Sequence, residues 1–241
     1  MVVRAPLREF ILPDLMQQLL LELAPPPRPG FDNFFPGRNG AALTALRGAL
    51  SGGEPFVYLW GAAGSGKTHL LHGFAEAAET RCASGYFSAE SADWSLAGKL
   101  HAVAVDDVTR LDEPGQIALF DLCNVLRASG GMLAASGEAP PAQLALRADL
   151  RSRLASGLVL QVHPLADAEK AAALREHAAR RGMTIEEELI GYLLTHFRRD
   201  MGTQTAVLDA LDRFSLERKR PITLPLLKQA LRSLATRDAS G

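Results

Sequence analysis

The chain has 241 residues, 47% of them hydrophobic and 22% charged, with a formal net charge of −1. That length suits one domain with an appendage, and the apolar content is enough for a sizeable core. The composition excludes a disordered, collagen-like or coiled-coil chain, and the charge gives no global attraction to nucleic acid or acidic lipid.

Residues 1–30 read as an arm. Pro6 and Pro13 break any early helix, and Pro25-Pro26-Pro27-Arg28-Pro29-Gly30 is a stiff, extended linker. Between them lies an apolar peptide, Gln17-Gln18-Leu19-Leu20-Leu21-Glu22-Leu23. The stretch Phe10–Leu23 is interrupted by Pro13, Asp14, Gln17, Gln18 and Glu22, a pattern foreign to a signal peptide. No apolar run approaches the ~18 residues of a membrane span, so a cytoplasmic protein with no membrane partner is expected. Cys82 and Cys123 have no metal-ligand spacing and read as reduced thiols.

From Gly37 helices and strands alternate. Ala42, Leu43, Leu46 and Leu50 repeat at helical spacing, and Gly52-Gly53 ends that helix. Phe56–Trp60 is a continuous apolar strand, followed by a glycine loop and a helix over about Lys67–Glu79. Gly85–Ser88, His101–Val105, Met132–Ala135 and Leu158–Val162 are further strands. A helix is expected over Ile117–Arg127, with Ile117, Phe120, Leu122 and Leu126 on its buried face. Alternation of this kind predicts an α/β fold with a parallel sheet. After Pro164 the pattern is helical only: Asp167–Arg181, then a helix opened by a Thr184/Glu187 capping box with Ile185, Leu189, Leu193 and Phe197 on one side. A third helix carries Val207, Leu211 and Phe214, and a fourth begins near Thr223 with Pro225 in its first turn. The expected division is an arm over 1–30, an α/β domain over 31–164 and a helical domain over 165–241.

Gly61-Ala62-Ala63-Gly64-Ser65-Gly66-Lys67-Thr68 matches G-x-x-x-x-G-K-[ST] between a strand and a helix. Small residues let backbone N–H groups turn inward around phosphate oxygens, and the helix N-terminus adds a favourable dipole. Lys67 would reach the β- and γ-phosphates, and the Thr68 hydroxyl would bind Mg²⁺. The apolar strand Ala102–Val105 ends in Asp106-Asp107, the arrangement of a Walker B element. Asp106 would hold Mg²⁺ through water, and Asp107 would polarise the attacking water. His69 and His72 lie one turn apart, but with no third ligand near they read as packing or surface residues.

With both motifs placed, the chain resembles an AAA+ ATPase of the DnaA clade along nearly its whole length. Phe31-Asp32-Asn33-Phe34 is similar to the segment that opens the DnaA ATPase core, where Phe31 would line the adenine pocket. Ser136-Gly137-Glu138-Ala139-Pro140-Pro141 resembles the sensor 1 strand end and Asp149-Leu150-Arg151-Ser152-Arg153-Leu154 the box VII motif. In box VII the arginine, here Arg153, reaches a neighbouring subunit's nucleotide. Leu165–Leu234 is similar to the helical lid, and the sequence ends soon after it, so the helix-turn-helix domain of DnaA itself is not expected. The clade places an arginine, sensor 2, at the start of the third lid helix. The matching position here is Gly202, with Arg198 and Arg199 on a different part of the turn, which implies weak or no hydrolysis by the chain itself.

The resemblance is strongest to the DnaA-related regulators of replication initiation. It implies ADP or ATP and Mg²⁺ as cofactors, and DnaA and the DNA polymerase III sliding clamp (its β subunit) as partners. DNA would be met only through the clamp, with association of further copies left open. Gln18, Leu19, Leu21 and Leu23 are similar to a clamp-binding peptide, with Glu22 where a proline is usual. The same peptide also reads as an amphipathic segment packing on its own domain. The function implied is inhibition of initiation by promoting hydrolysis of DnaA-bound ATP. A DnaA-like adaptor without catalytic contribution and an autonomous helicase-loader ATPase of the DnaC type are the alternatives.

Overall fold

The computed structural model describes residues 28–90, 94–197 and 200–238. Two compact units divide the chain, one over Pro29–Leu165 and a helical one running from Ala166. The first contains α1 (Gly40–Ala49), β1 (Phe56–Trp60), α2 (Lys67–Glu79), β2 (Ser84–Ser88), α3 (Trp94–Ala97), β3 (Ala102–Asp106), α4 (Glu113–Ser129), β4 (Met132–Gly137), α5 (Ala148–Leu154) and β5 (Leu158–Gln161). The strands form a parallel sheet in the order β2-β3-β4-β1-β5. Leu59 pairs with Ser136 and Trp60 with Gly137, while Val105 pairs with Ala135. This register brings the ends of β1, β3 and β4 level. Loops at the carboxyl ends of parallel strands are where ligands bind in such sheets.

Both sheet faces are buried, which is why the strands read as apolar runs. Side chains alternate along each strand. Phe56, Tyr58, Val103 and Val105 pack with Leu119, Leu122, Cys123 and Leu126 of α4. Val57, Leu59, Ala102, Ala104 and Ala134 pack with Leu70, Leu71 and Phe74 of α2. Gly73 of α2 meets Phe31, whose Cδ1 would lie 2.8 Å from a Cβ there, so the helix needs a bare backbone at that point.

Two local expectations are corrected in this unit. Helix α4 begins four residues earlier than the apolar spacing indicated, because Asp112 caps it by accepting from Gly115 N at 2.9 Å and Pro114 occupies its first turn. Its buried face is Leu119, Leu122, Cys123 and Leu126, while Ile117 is 42% exposed.

The helical unit contains α6 (Asp167–Arg180), α7 (Glu187–His196), α8 (Met201–Arg218) and α9 (Leu224–Asp238) around Leu174, Leu189, Ile190, Leu193, Val207, Leu208, Leu211, Leu226 and Leu227. The Thr184/Glu187 capping box does not form. Glu187 is the first helical residue, and its carboxylate is committed to Arg175 at 2.6 and 2.7 Å. Helix α8 is instead capped by Asp200, which accepts from Thr203 N at 2.8 Å.

Candidate functional site

The glycine loop leaves β1 at Gly61, where an added Cβ would lie 2.1 Å from Val162 O. Gly66 ends it at φ 104°, a left-handed conformation that only glycine adopts without strain, and so delivers the chain into α2. Ser65 is buried, and its Oγ has no hydrogen-bond partner among the described residues. Lys67 Nζ donates to Gly61 O at 2.7 Å and to Ala62 O at 3.1 Å, folding over the loop it follows. Burial lowers the Lys67 pKa, and Asp106, Asp107 and Glu138 oppose that shift.

Asp106 ends β3 with 7% of its surface exposed. Its carboxylate accepts from Thr68 Oγ1 at 2.6 Å, Tyr86 OH at 2.9 Å and Ser136 Oγ at 2.5 Å. Ser136 Oγ in turn accepts from the Asp107 backbone N–H at 3.0 Å. The hydroxyl–carboxylate pair of Thr68 and Asp106, beside a loop of N–H donors and one lysine, is a donor set suited to a divalent ion on a phosphate chain. Ser65 Oγ, a buried polar atom in want of a partner, fits the same ligand.

The hydrolytic end of the site looks different. Asp107 adopts φ 55° and ψ 60°, a costly backbone for a residue with a side chain. Its carboxylate accepts from Thr109 Oγ1 and pairs with Arg110 Nε at 2.8 Å, and Arg110 also binds Glu90. Tyr58 OH donates to Ala139 O at 3.0 Å and sits 2.1 Å from where a Cβ of Gly137 would be. The phenol therefore fills the space into which a side chain at the end of β4 would project.

Of the aromatic pair in the Phe31–Phe34 segment, Phe31 is buried in the core beneath the Arg47 guanidinium, 5.6 Å from its centroid. Phe34 is the ring that reaches the loop, at 3.1 Å from an added Cβ on Gly66. His69 holds this segment: its Nε2 lies 2.9 Å from Gly30 O and 2.8 Å from Asn33 Oδ1, and burial lowers its pKa. His72 stacks on Tyr86 at 3.8 Å. Both histidines pack, and no cluster of His, Cys, Asp or Glu suited to a metal occurs among the described residues.

Arg153 lies in the last turn of α5, whose Leu150 and Leu154 are buried. Its guanidinium carbon stands 5.5 Å from the Phe120 ring centroid of α4. Asp149, the acid nearest in sequence, is bound instead to Arg147 at 2.8 Å. Among the described residues Arg153 has no ion pair. Gly202 is exposed in the first turn of α8. Gln18, Leu19, Leu21 and Leu23 lie outside the described residues, as do Arg198 and Arg199. No helix among the described residues is long and apolar enough to cross a membrane.

Residues 167–231 match the family model described as the lid domain of Hda. The chain is similar to domain III of the Thermotoga maritima replication initiation protein DnaA, at 20% identity over 88% of this chain and 99% of that one, with a TM-score of 0.67. AMPPCP-bound DnaA from Aquifex aeolicus gives 21% over 79% and 67%, with a TM-score of 0.66. Thermotoga maritima RuvB gives 18% over 86% and 72%, with a TM-score of 0.62. The fold is that of AAA+ proteins: a five-stranded parallel sheet flanked by helices, followed by a helical unit. Over residues 167–231 the helical unit is similar to the lid domain of Hda, and the fold is similar to that of the initiator DnaA.

Sequence reasoning singled out neither Phe34 nor Tyr86. Phe34 stood within the quoted segment. Tyr86 carried no local signal, because its meeting with Asp106 is a contact between neighbouring strands.

Proposed function

We propose that this chain is a negative regulator of replication initiation. In this reading it holds ADP or ATP with Mg²⁺, binds the DNA-loaded sliding clamp through its N-terminal peptide, and promotes hydrolysis of DnaA-bound ATP. The observation that carries the proposal is Arg153, a half-buried guanidinium that no carboxylate of the described residues neutralises. An arginine that serves a neighbour's nucleotide must be free of its own acids, since an internal ion pair would cancel the charge it delivers to the transition-state oxygens. The Phe120 ring supports the side chain without cancelling that charge.

The phosphate end supports nucleotide as a resident cofactor. Gly61, Gly64, Ser65 and Gly66 would supply the cradle, Lys67 the cation, and Thr68 with Asp106 the Mg²⁺ site. The ion would neutralise charge along the phosphates. Weak hydrolysis at this chain's own site is supported by the engagement of Asp107 with Thr109 and Arg110, and by Tyr58 in the space beside Gly137. Ser136 then acts as a strut that bonds Asp106 and the Asp107 backbone. The exposed Gly202 at the start of α8 agrees with the same reading. The clamp peptide would raise the local concentration of the chain where DnaA meets DNA.

The test is phosphate release from ATP-bound DnaA with this chain, clamp and DNA supplied singly and together. The proposal expects acceleration only when all are present. No acceleration removes it and leaves a tethering adaptor, and robust turnover by the isolated chain favours a helicase-loader ATPase.

A further inference from the structure

Three hydroxyls converge on Asp106, but only Thr68 and Ser136 come from elements expected at a phosphate site. The third, Tyr86, comes from β2, the edge strand beside β3. It sits opposite Ala104, two residues before Asp106, and its ring leans along the strand so that the phenol reaches Oδ2 at 2.9 Å. The ring is held in that pose by His72 of α2, stacked at 3.8 Å with an interplanar angle of 17°.

A carboxylate oxygen offers two lone-pair directions. On Oδ2 of Asp106, Thr68 takes one and Tyr86 the other. On Oδ1, Ser136 takes one more. Thr68 can turn its oxygen to a metal ion while its proton stays on Asp106. A water on that ion, by contrast, needs an acceptor of its own on the carboxylate. The phenol takes one of the two directions that Thr68 and Ser136 leave, so such a water is restricted to the remaining Oδ1 direction, and the phenol's hydrogen bond also drains negative potential from the carboxylate.

We propose that Tyr86 is a positioning residue that limits the coupling between a divalent cation and the bound nucleotide, by holding one of the two Asp106 acceptor directions that a metal-bound water could take. Mg²⁺ would then add less to nucleotide affinity than it would with the Tyr86 hydroxyl removed. This rests on the reading of the site as one for ADP or ATP.

The experiment measures ADP affinity of the full chain by calorimetry, in EDTA and in excess Mg²⁺, for wild type and Tyr86→Phe. The phenylalanine keeps the stack on His72, and an unchanged melting temperature checks that the fold is intact. The gain in affinity given by Mg²⁺ should be at least ~3-fold larger in Tyr86→Phe, the scale of one hydrogen bond to a charged acceptor. If the gain is unchanged or smaller, with ADP still bound, Tyr86 is only a prop and the inference is overturned alone. If wild type binds no ADP in either buffer, the nucleotide reading fails and takes this inference with it.

Discussion

The two units of the chain bury polar side chains to different ends. In the α/β unit, Asp106, Ser136 and Asn39 are buried with their polar atoms bonded, Asn39 to both N and O of His163 at 2.7 and 2.8 Å. Asp106 and Ser136 stand at the carboxyl ends of adjacent strands. In the helical unit, Asp209 is equally buried but is held by His177 at 2.6 Å and Arg181 at 3.3 Å, a tie between α6 and α8. Also in α8, Gln204 is fully buried with neither amide atom partnered among the described residues. Buried polarity at strand ends is gathered around Asp106, because the register brings several short donors to one point. Buried polarity between helices serves packing: Asp209 is met by His177 and Arg181, while the Gln204 amide is not met among the described residues.

Substitutions can break that contrast. The largest effect belongs to Lys67→Ala, which removes the cation from a loop otherwise made of backbone donors. ADP and ATP affinity should fall at least ~100-fold by calorimetry, with the melting temperature unchanged. Next comes Asp209→Ala. It strips the partner from His177 and Arg181, both more exposed than Asp209, so the helical unit should lose about 2 kcal/mol in urea unfolding while nucleotide affinity stays at the wild-type value. Equal losses of nucleotide binding in both variants would erase the distinction between the units.

The arm should behave like neither unit. Replacing Gln18 and Leu21 by Ala should weaken clamp binding at least ~10-fold by surface plasmon resonance, since anchors of this kind carry most of a peptide's affinity. The same double variant should melt with wild type, and a markedly lower melting temperature would mean the segment packs on its own domain. The smallest effect sharpens the comparison from the other side. Gln204→Met replaces an unpartnered amide by an apolar side chain of similar shape and should stabilise the helical unit by about 1 kcal/mol. Destabilisation would reveal a role for the amide.

The α/β unit was more legible in the sequence than the helical one, and for the same reason. The inner strands β1, β3 and β4 are buried and read as apolar runs, and the glycine loop and Asp106 follow them at fixed offsets. Helix ends depend on contacts that local spacing cannot show. Glu187 pairs with Arg175 across to α6, which removed the expected capping box, and the Asp112 cap lengthened α4 and left Ile117 outside its buried face. Short α5 has only Leu150 and Leu154 at helical spacing, too little periodicity to declare itself. Tyr86 and Tyr58 reach the site through contacts 20 and 81 residues distant in sequence, and only the folded sheet brings them there.

The central claim is that Arg153 works on a partner's nucleotide and not on its own. The direct measurement is the rate of phosphate release from wild-type DnaA–ATP on clamp-loaded DNA, with wild-type chain and with Arg153→Ala. Removal of such a charge costs roughly 10³–10⁵ in a fast partner, and at least ~10-fold is expected here. The account predicts that Arg153→Ala loses stimulation while its fold, ADP affinity and clamp binding match wild type. Full stimulation by a properly folded Arg153→Ala would contradict it and pass the role to Arg151.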